Sequence, residues 1–161
     1  PPRFSQADLG PLLSDAVAVV RRDPAAQSID ITVEGDDVSA SVDSEMLRAT
    51  VLNLVLNAAQ AMAGRGTIAL KLARADGFAI IEVRDDGPGI PVEIRDKLFE
   101  PFFTTKARGG GLGLPIAKRT AELHGGSLDL EWPDAGGTVA TLRLPIRPTA
   151  PEREPGVTQA V

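Results

Sequence analysis

The chain has 161 residues, of which 43% are hydrophobic and 24% are charged, so its length and composition fit one globular domain with its own core. Its formal net charge of -5, with Lys and Arg scattered along the chain, argues against a surface that binds nucleic acid. The absence of cysteine excludes disulfides and thiolate metal sites, and no apolar stretch approaches a membrane span, so no direct membrane contact is expected.

The first half of the chain contains two helical patterns and, between them, two alternating stretches. Apolar residues at helical spacing predict an amphipathic helix over residues 8–22, which ends before Pro24. Residues 29–33 and 38–42 alternate apolar and polar side chains on either side of Gly35-Asp36-Asp37, which predicts a β-hairpin. The longest helix is predicted over residues 45–62, with Asp43 or Ser44 as its N-cap.

The second half is predicted to alternate strands with short helices. Strands are expected at residues 67–73, 78–84, 127–132 and 138–144, and helices at residues 92–98 and 114–123. This mixture of hairpins and helix crossovers implies an α/β (α+β) two-layer sandwich, in which helices cover one face of a mixed sheet.

The domain organisation follows from the same patterns. Residues 1–24 are expected to hold a connecting segment and the first helix, residues 25–146 the core of the domain, and residues 147–161 a disordered tail. The start at Pro1-Pro2 lacks a charged and then apolar leader, so we interpret it as a fragment boundary and not as a signal peptide.

Two asparagines stand out in the long predicted helix. Asn53 and Asn57 lie four residues apart, so their amides point in the same direction. A buried amide without a partner costs about 1–3 kcal/mol, so a polar group is expected to meet them. That group could be backbone or water, or it could be Mg²⁺ bound to phosphates, because amide oxygens are suitable ligands for this cation.

The segment Asp85-Asp86-Gly87-Pro88-Gly89-Ile90 directly follows a predicted strand. A carboxylate at that edge of the sheet could accept a hydrogen bond from an exocyclic amine such as that of adenine, and the two glycines would let the backbone approach a ligand closely. Asp-Gly and Pro-Gly are also ordinary turn sequences, so a plain turn is the alternative.

A glycine-rich segment over residues 109–114 leads into the last predicted helix. A helix N-terminus favours phosphate, and Lys106 and Arg108 add positive charge, although a flexible linker would have a similar composition. The Gly-Lys-Ser/Thr of a Walker A loop is missing. Phe99, Phe102 and Phe103 precede this segment, either as core residues or as the anchor and hinge of a lid.

These four stretches occur in an order that resembles the ATP-binding catalytic domain of sensor histidine kinases, in the GHKL superfamily with the Bergerat fold. The matching stretches are residues 52–62, 85–90, 99–106 and 109–116, and the similarity extends over about residues 43–145. The wording of Gln60-Ala61-Met62 and of residues 102–106 is most similar to the nitrogen-regulator type of these kinases.

The resemblance implies ATP and Mg²⁺ as cofactors and gives each matching residue a role. Asn57 would coordinate Mg²⁺, with Asn53 close to the same phosphates, and Asp85 would bind the amino group of adenine. Lys106 would reach a terminal phosphate, so Asn57 and Lys106 are the expected catalytic residues. The further nucleotide-binding residues implied are Ala61, Gly87, Gly89, Ile90, Phe103, Arg108, Gly109, Gly111, Leu112, Gly113, Leu114 and Thr138.

Two features narrow the implied function. ATP-hydrolysing members of the superfamily have a glutamate general base one turn before the magnesium asparagine, where this chain has Asn53, so slow hydrolysis and phosphoryl transfer to a histidine are expected. The single histidine, His124, is interpreted as a structural cap or dipole partner at a helix C-terminus. The acceptor histidine is therefore expected on a dimerisation domain of the same parent protein, in the cytoplasm, with a response regulator downstream. A GHKL ATPase and a non-catalytic nucleotide sensor are the alternatives.

Overall fold

The computed structural model describes residues 1–100 and 113–147. It contains three α-helices, two 3-10 turns (Pro24–Ala26 and Val92–Lys97) and seven β-strands within these ranges. The helices are α1 (Leu9–Val20), α2 (Ser44–Ala61) and α3 (Gly113–Leu123). The strands are β1 (Ser5–Asp8), β2 (Ile29–Gly35), β3 (Ser39–Val42), β4 (Gly66–Ala75), β5 (Phe78–Asp85), β6 (Ser127–Glu131) and β7 (Thr138–Pro145).

Five strands form one mixed sheet in the order β2-β4-β5-β7-β6, in which only the β2–β4 pairing is parallel. Alternate side chains of β4, such as Ile68 and Leu70, are fully buried in the same core as the helices, whereas Thr67 and Lys71 are exposed. This period of two is the mark of a sheet with one covered face. The predicted mixed sheet with a helical layer on one face is confirmed.

The hairpin predicted over residues 29–42 is wrong. β2 pairs in parallel with β4, and β3 pairs in antiparallel fashion with β1, which the sequence did not predict. At the expected turn, the N–H of Asp36 donates to the carbonyl of Leu72 at 2.8 Å, and Gly35 has φ +133 where a Cβ would collide with the backbone of Leu72. The turn is therefore fastened to β4, and it sends the chain away from β2 instead of back along it.

The predicted helices are present with small shifts at their ends. The side chain of Asp43 caps α2, since its Oδ1 accepts a hydrogen bond from the N–H of Met46 at 3.1 Å. After α2 the chain reverses through Ala63 (φ 53) and Gly64 (φ 79), both in the left-handed region. The helix predicted over residues 92–98 is a 3-10 turn that ends at Lys97.

The boundaries of the domain predicted from the sequence are only partly visible. α1 belongs to the hydrophobic core, because Leu9 and Leu13 are fully buried and the helix packs against α2. The tail predicted over residues 147–161 lies outside the described residues except for Arg147. In the described ranges, no helix combines the length and the apolar character needed to cross a membrane.

Candidate functional site

The second half of α2 brings the predicted site residues together. Asn57 lies beside the start of α3, where a Cβ built on Gly113 would be 3.2 Å from Asn57 Nδ2. Just past the end of the same helix, Met62 lies against the loop after β5, with its Cγ 3.0 Å from the Cβ position of Gly87. Glycine at both contacts lets the backbone approach α2 closely. The asparagine segment, the loop after β5 and the start of α3 therefore form one continuous region.

Asn53 and Asn57 are both half-buried, although the helix around them is largely buried. Leu54, Val55 and Ala58 turn into the core, so the two amides lie on the boundary between the core and the surface. As predicted, the four-residue spacing puts them one turn apart on the same side of α2. Of the two amides, that of Asn57 lies next to the N-terminus of α3.

Asp85 is the last residue of the central strand β5, and its carboxylate is held by backbone groups. Its Oδ1 accepts hydrogen bonds from the N–H of Gly87 at 2.9 Å and from the N–H of Thr138 at 3.3 Å. Its Oδ2 makes no hydrogen bond to the part of the chain that the structure describes. The described residues thus fix the carboxylate through one oxygen only.

Burial is the main influence on the charge of this carboxylate. It raises the pKa of Asp85 above its ordinary value, because desolvation disfavours the ionised form. The N–H groups of Gly87 and Thr138 lower the pKa, and the neighbouring Asp86 raises it, both to a smaller extent. A half-buried carboxyl with a raised pKa is typical of a binding site, since a ligand that donates to it would relieve the desolvation.

Asp86 bonds to a different strand from its neighbour Asp85. Its Oδ1 accepts from the N–H of Thr67 at 2.9 Å, and its own N–H donates to the carbonyl of Thr67 at 3.3 Å. The loop after β5 is therefore fastened to β4 on one side by Asp86 and to β7 on the other side by Asp85. Nothing in the sequence indicates this division, because the two adjacent carboxylates look equivalent.

Gly89 and Ile90 complete the loop. Gly89 has φ +74, and a Cβ on it would lie 3.4 Å from the carbonyl oxygen of Gly137. Gly137 is itself buried at φ +82, where a Cβ would collide with the carbonyl of Asp85. The close approach of these two backbone segments depends on both glycines. The carbonyl of Ile90 accepts a hydrogen bond from Arg95 Nε at 2.9 Å.

Comparison with known proteins agrees with this geometry. The family described as histidine kinase-, DNA gyrase B-, and HSP90-like ATPase matches residues 42–148. The chain belongs to this family. It is 33% identical to the histidine-protein kinase AtoS of Escherichia coli over 91% of the chain and 24% of that protein, and 40% identical to the kinase AfsQ2 of Streptomyces coelicolor over 74% of the chain and 23% of that protein.

Solved structures of this ATPase family show the same fold. The catalytic domain of histidine kinase ThkA matches with a TM-score of 0.82 and 31% identity, over 91% of this chain and 97% of that one. Full-length ShkA in complex with AMPPNP matches with a TM-score of 0.79 and 26% identity, over 93% of this chain and 32% of that one. The chain is thus similar to histidine kinase catalytic domains and spans only 24% to 31% of the length of relatives such as AtoS and the kinase ZraS. The resemblance seen in the sequence is confirmed.

The other predicted residues of this ATPase-family domain fall into two groups. Ala61 is exposed at the end of α2 one turn after Asn57, Leu114 is partly buried against the core, and Thr138 begins β7 with its N–H bonded to Asp85. Six more predictions lie outside the described residues, so the role of the predicted lid stays a prediction. They are Phe103, Lys106, Arg108, Gly109, Gly111 and Leu112.

His124 lies against Asp43 at the start of α2, at the opposite end of this helix from Asn57. The residue is 4% exposed, its Nδ1 donates to the carbonyl of Thr120 at 2.7 Å, and its Nε2 accepts from the N–H of Asp43 at 3.0 Å. The Phe4 ring packs edge-on at a centroid distance of 5.1 Å. The predicted structural cap is confirmed, and the ring also joins the end of α3 to the start of α2.

Two residues that contact the loop after β5 were not predicted from the sequence. The guanidinium carbon of Arg95 lies 4.3 Å from the centroid of the Trp132 ring, and Trp132 Cδ1 lies 3.7 Å from the Cβ position of Gly89. The only advance signal was that Trp132 is the single tryptophan of the chain. Its contact with a loop more than forty residues earlier in the chain leaves no local pattern.

Proposed function

We propose that this domain binds Mg·ATP and supplies the γ-phosphoryl group to a histidine on a dimerisation domain of its parent protein, for relay to a response regulator. The observation that carries the proposal is the carboxylate of Asp85, fixed through Oδ1 by two backbone N–H groups and placed beside the helix that bears Asn57. Membership of the ATPase family and similarity to sensor histidine kinases support it.

Asp85 would select the base. Adenine presents an amino group that can donate to Oδ2, whereas guanine presents a carbonyl oxygen at the same position, which a carboxylate repels. Gly87 and Gly89 leave room for the ring, and the half-buried Ile90 offers an apolar contact. Because Oδ1 is already engaged, the carboxylate would meet the base without a change of rotamer, which lowers the entropic cost of binding.

Asn53 and Asn57 would hold the phosphate end. Their amide oxygens suit Mg²⁺, which takes oxygen ligands and also keeps waters and phosphate oxygens in its shell. When bound, the cation would neutralise part of the triphosphate charge. The N-terminus of α3 at Gly113 lies beside Asn57, where its N–H groups and dipole favour phosphate. The catalytic work of this chain would then be positioning and charge neutralisation, with Lys106 as an expected contributor from outside the described residues.

Transfer is favoured over hydrolysis by the residue one turn before Asn57. Asn53 has an amide that cannot act as a general base, so a bound water would not be activated. Self-phosphorylation is disfavoured because both ring nitrogens of His124 are engaged inside the protein. The γ-phosphoryl group is therefore expected to remain intact until an acceptor histidine on another domain reaches it.

Calorimetry with the 161-residue chain and AMP-PNP, with and without Mg²⁺, tests binding, and γ-labelled ATP tests transfer. We expect Mg²⁺-dependent binding, no acid-labile label on the isolated chain, and label on the upstream acceptor segment of the parent protein when that segment is added. Absence of nucleotide binding under both conditions would overturn the proposal. Steady phosphate release that survives purification would indicate an ATPase, and binding without transfer to the added segment would indicate a nucleotide sensor.

A further inference from the structure

The loop over residues 87–90 has a support that neither Asp85 nor Asp86 provides. Both carboxylates fasten the beginning of the loop, up to Gly87. The far end, at Gly89 and Ile90, meets Arg95 and Trp132 instead. This end would form one wall of the base pocket under the proposed function, so whatever fixes it acts on the nucleotide.

Arg95 and Trp132 both contact the far end of the loop. Arg95 Nε donates to the carbonyl of Ile90 at 2.9 Å, which fixes that peptide group. Trp132 Cδ1 lies 3.7 Å from the Cβ position of Gly89, so the indole packs against that glycine. The Arg95 guanidinium then lies 4.3 Å above the Trp132 ring, a cation–π distance that joins the two supports to each other.

The indole is used here for its ring and not for its N–H. Trp132 Nε1 is buried and has no hydrogen-bond partner within the described ranges, which carries an energetic penalty. Neither Arg95 nor Trp132 belongs to the hydrophobic core cluster. A large flat ring that lies outside the core cluster and against this loop indicates a role in shaping the loop more than in holding the fold.

We infer that Arg95 and Trp132 are positioning residues that fix Gly89 and Ile90 in the geometry that the nucleotide base requires. The inference rests on the proposed function, since the base is the expected ligand of this loop. Loss of either support lets the loop relax, so the pocket keeps its chemical groups and loses their arrangement. Affinity and base preference should then fall together, while the fold persists.

The variants W132A, W132F, R95A and R95K separate these effects. We expect W132A and R95A to weaken AMP-PNP binding about tenfold and to reduce the preference for AMP-PNP over GMP-PNP. W132F should bind within about twofold of the unaltered chain, because a phenyl ring keeps the packing and removes the unpaired N–H. R95K should not rescue, since an ammonium group cannot both stack on the ring and donate in the guanidinium plane.

The measurements are calorimetric Kd values for both nucleotides, together with thermal unfolding. Arg74 supplies a matched control: it is an exposed arginine of β4 near the opposite end of the strand from Ile68, the partner of Asp85, so R74A should leave both Kd values unchanged. The single tryptophan gives an independent signal, because its emission should change when AMP-PNP binds to the unaltered chain.

The two proposals fail in different ways. If the unaltered chain does not bind AMP-PNP, the proposed function is overturned. If it binds and W132A and R95A bind equally well with the same base preference, only the positioning role is overturned. If W132A or R95A loses its cooperative unfolding transition, the same comparison is made between W132F and R95K, where equal affinity and equal base preference would again overturn the positioning role.

Discussion

The two ends of α2 use similar residues in opposite ways. At its start, Asp43 accepts from the N–H of Arg3 at 2.8 Å through one oxygen and from Met46 through the other, and His124 accepts the N–H of Asp43. Beyond its other end, Asp85 uses only Oδ1 within the described residues. The described residues bond both oxygens of the Asp43 carboxylate at the first end, but only one oxygen of the Asp85 carboxylate near the second. The number of hydrogen bonds that the protein makes to each carboxylate, more than the residue type, distinguishes the structural position of Asp43 from the candidate site at Asp85.

The same contrast shows in the two pKa shifts. The backbone N–H groups of Arg3 and then Met46 lower the pKa of Asp43, because they bond to its ionised form. Burial raises the pKa of Asp85. A carboxylate that is stabilised by its own fold suits a helix cap, and one that is destabilised without its ligand suits a binding site.

The largest expected effect is the loss of nucleotide affinity when Asp85 is changed. Asp85→Asn should weaken AMP-PNP binding about a hundredfold, because the amide can still accept from Gly87 and Thr138 but its NH₂ meets the adenine amino group as a second donor. The melting temperature should stay the same or rise, since a desolvated charge is removed. Calorimetry and thermal unfolding measure the two quantities. A variant that binds normally would remove Asp85 from the base site.

The next largest effect distinguishes a role in metal binding from a role in binding the base. Asn57→Ala should lower AMP-PNP affinity about tenfold in the presence of Mg²⁺ and leave the weaker metal-free affinity nearly unchanged. Titrations with and without Mg²⁺ give both values. The exposed Gln60 on the same helix supplies a matched amide control, so Gln60→Ala should be silent in both titrations. An equal loss under both conditions would contradict a metal-binding role for Asn57.

Substitution of His124, at the start of α2, should lower stability and leave nucleotide affinity nearly unchanged, the reverse of the pattern expected for Asp85→Asn. His124→Ala leaves the N–H of Asp43 and the carbonyl of Thr120 without their ring partners, so it should lower the free energy of unfolding by about 2–3 kcal/mol. Nucleotide affinity under folding conditions should change less than about twofold, because Asn57 lies about 21 Å along α2 from Asp43. His124→Gln, which can still accept from Asp43, should recover part of the stability. Denaturant unfolding and calorimetry check both points.

The smallest expected effect is in the pH dependence. The lowered pKa of Asp43 gives stability that is present above the unfolded-state pKa and is lost as pH falls through the folded pKa. Asp85 has the opposite sign, since its raised pKa makes the folded state gain stability as pH falls through that value. Asp43→Asn should therefore flatten the acid limb of the stability curve, and Asp85→Asn should steepen it. The free energy of unfolding is measured against pH for both variants. If the acid limb steepens in both, or flattens in both, the opposite roles of the two carboxylates are contradicted.

Local chemistry in the sequence was enough to predict most elements and the local placement of several candidate site residues. Asp43 as a cap, the asparagine spacing and the glycines of the loop each depend on neighbours within a few residues. Pairing was not predictable in the same way: the alternation in β2 and β3 reports which side chains are buried and does not specify a partner strand. β1, with the sequence Ser-Gln-Ala-Asp, has no apolar alternation that could have marked it.

The parts of the site that the sequence missed all involve distant partners. Asp86 acts through Thr67, and Trp132 acts on Gly89, so each contact exists only once the sheet has formed. Residue type predicts what a side chain can do, while the fold decides that Asp86 bonds to β4 and its neighbour Asp85 to β7.

Gly137 limits which substitutions this domain can tolerate. It was not among the predicted nucleotide-binding residues, yet any side chain there would collide with the carbonyl of Asp85. In a saturation screen for kinase signalling, we would expect this position to be as intolerant as those of the loop it faces, so a map of intolerant positions would include the support as well as the pocket.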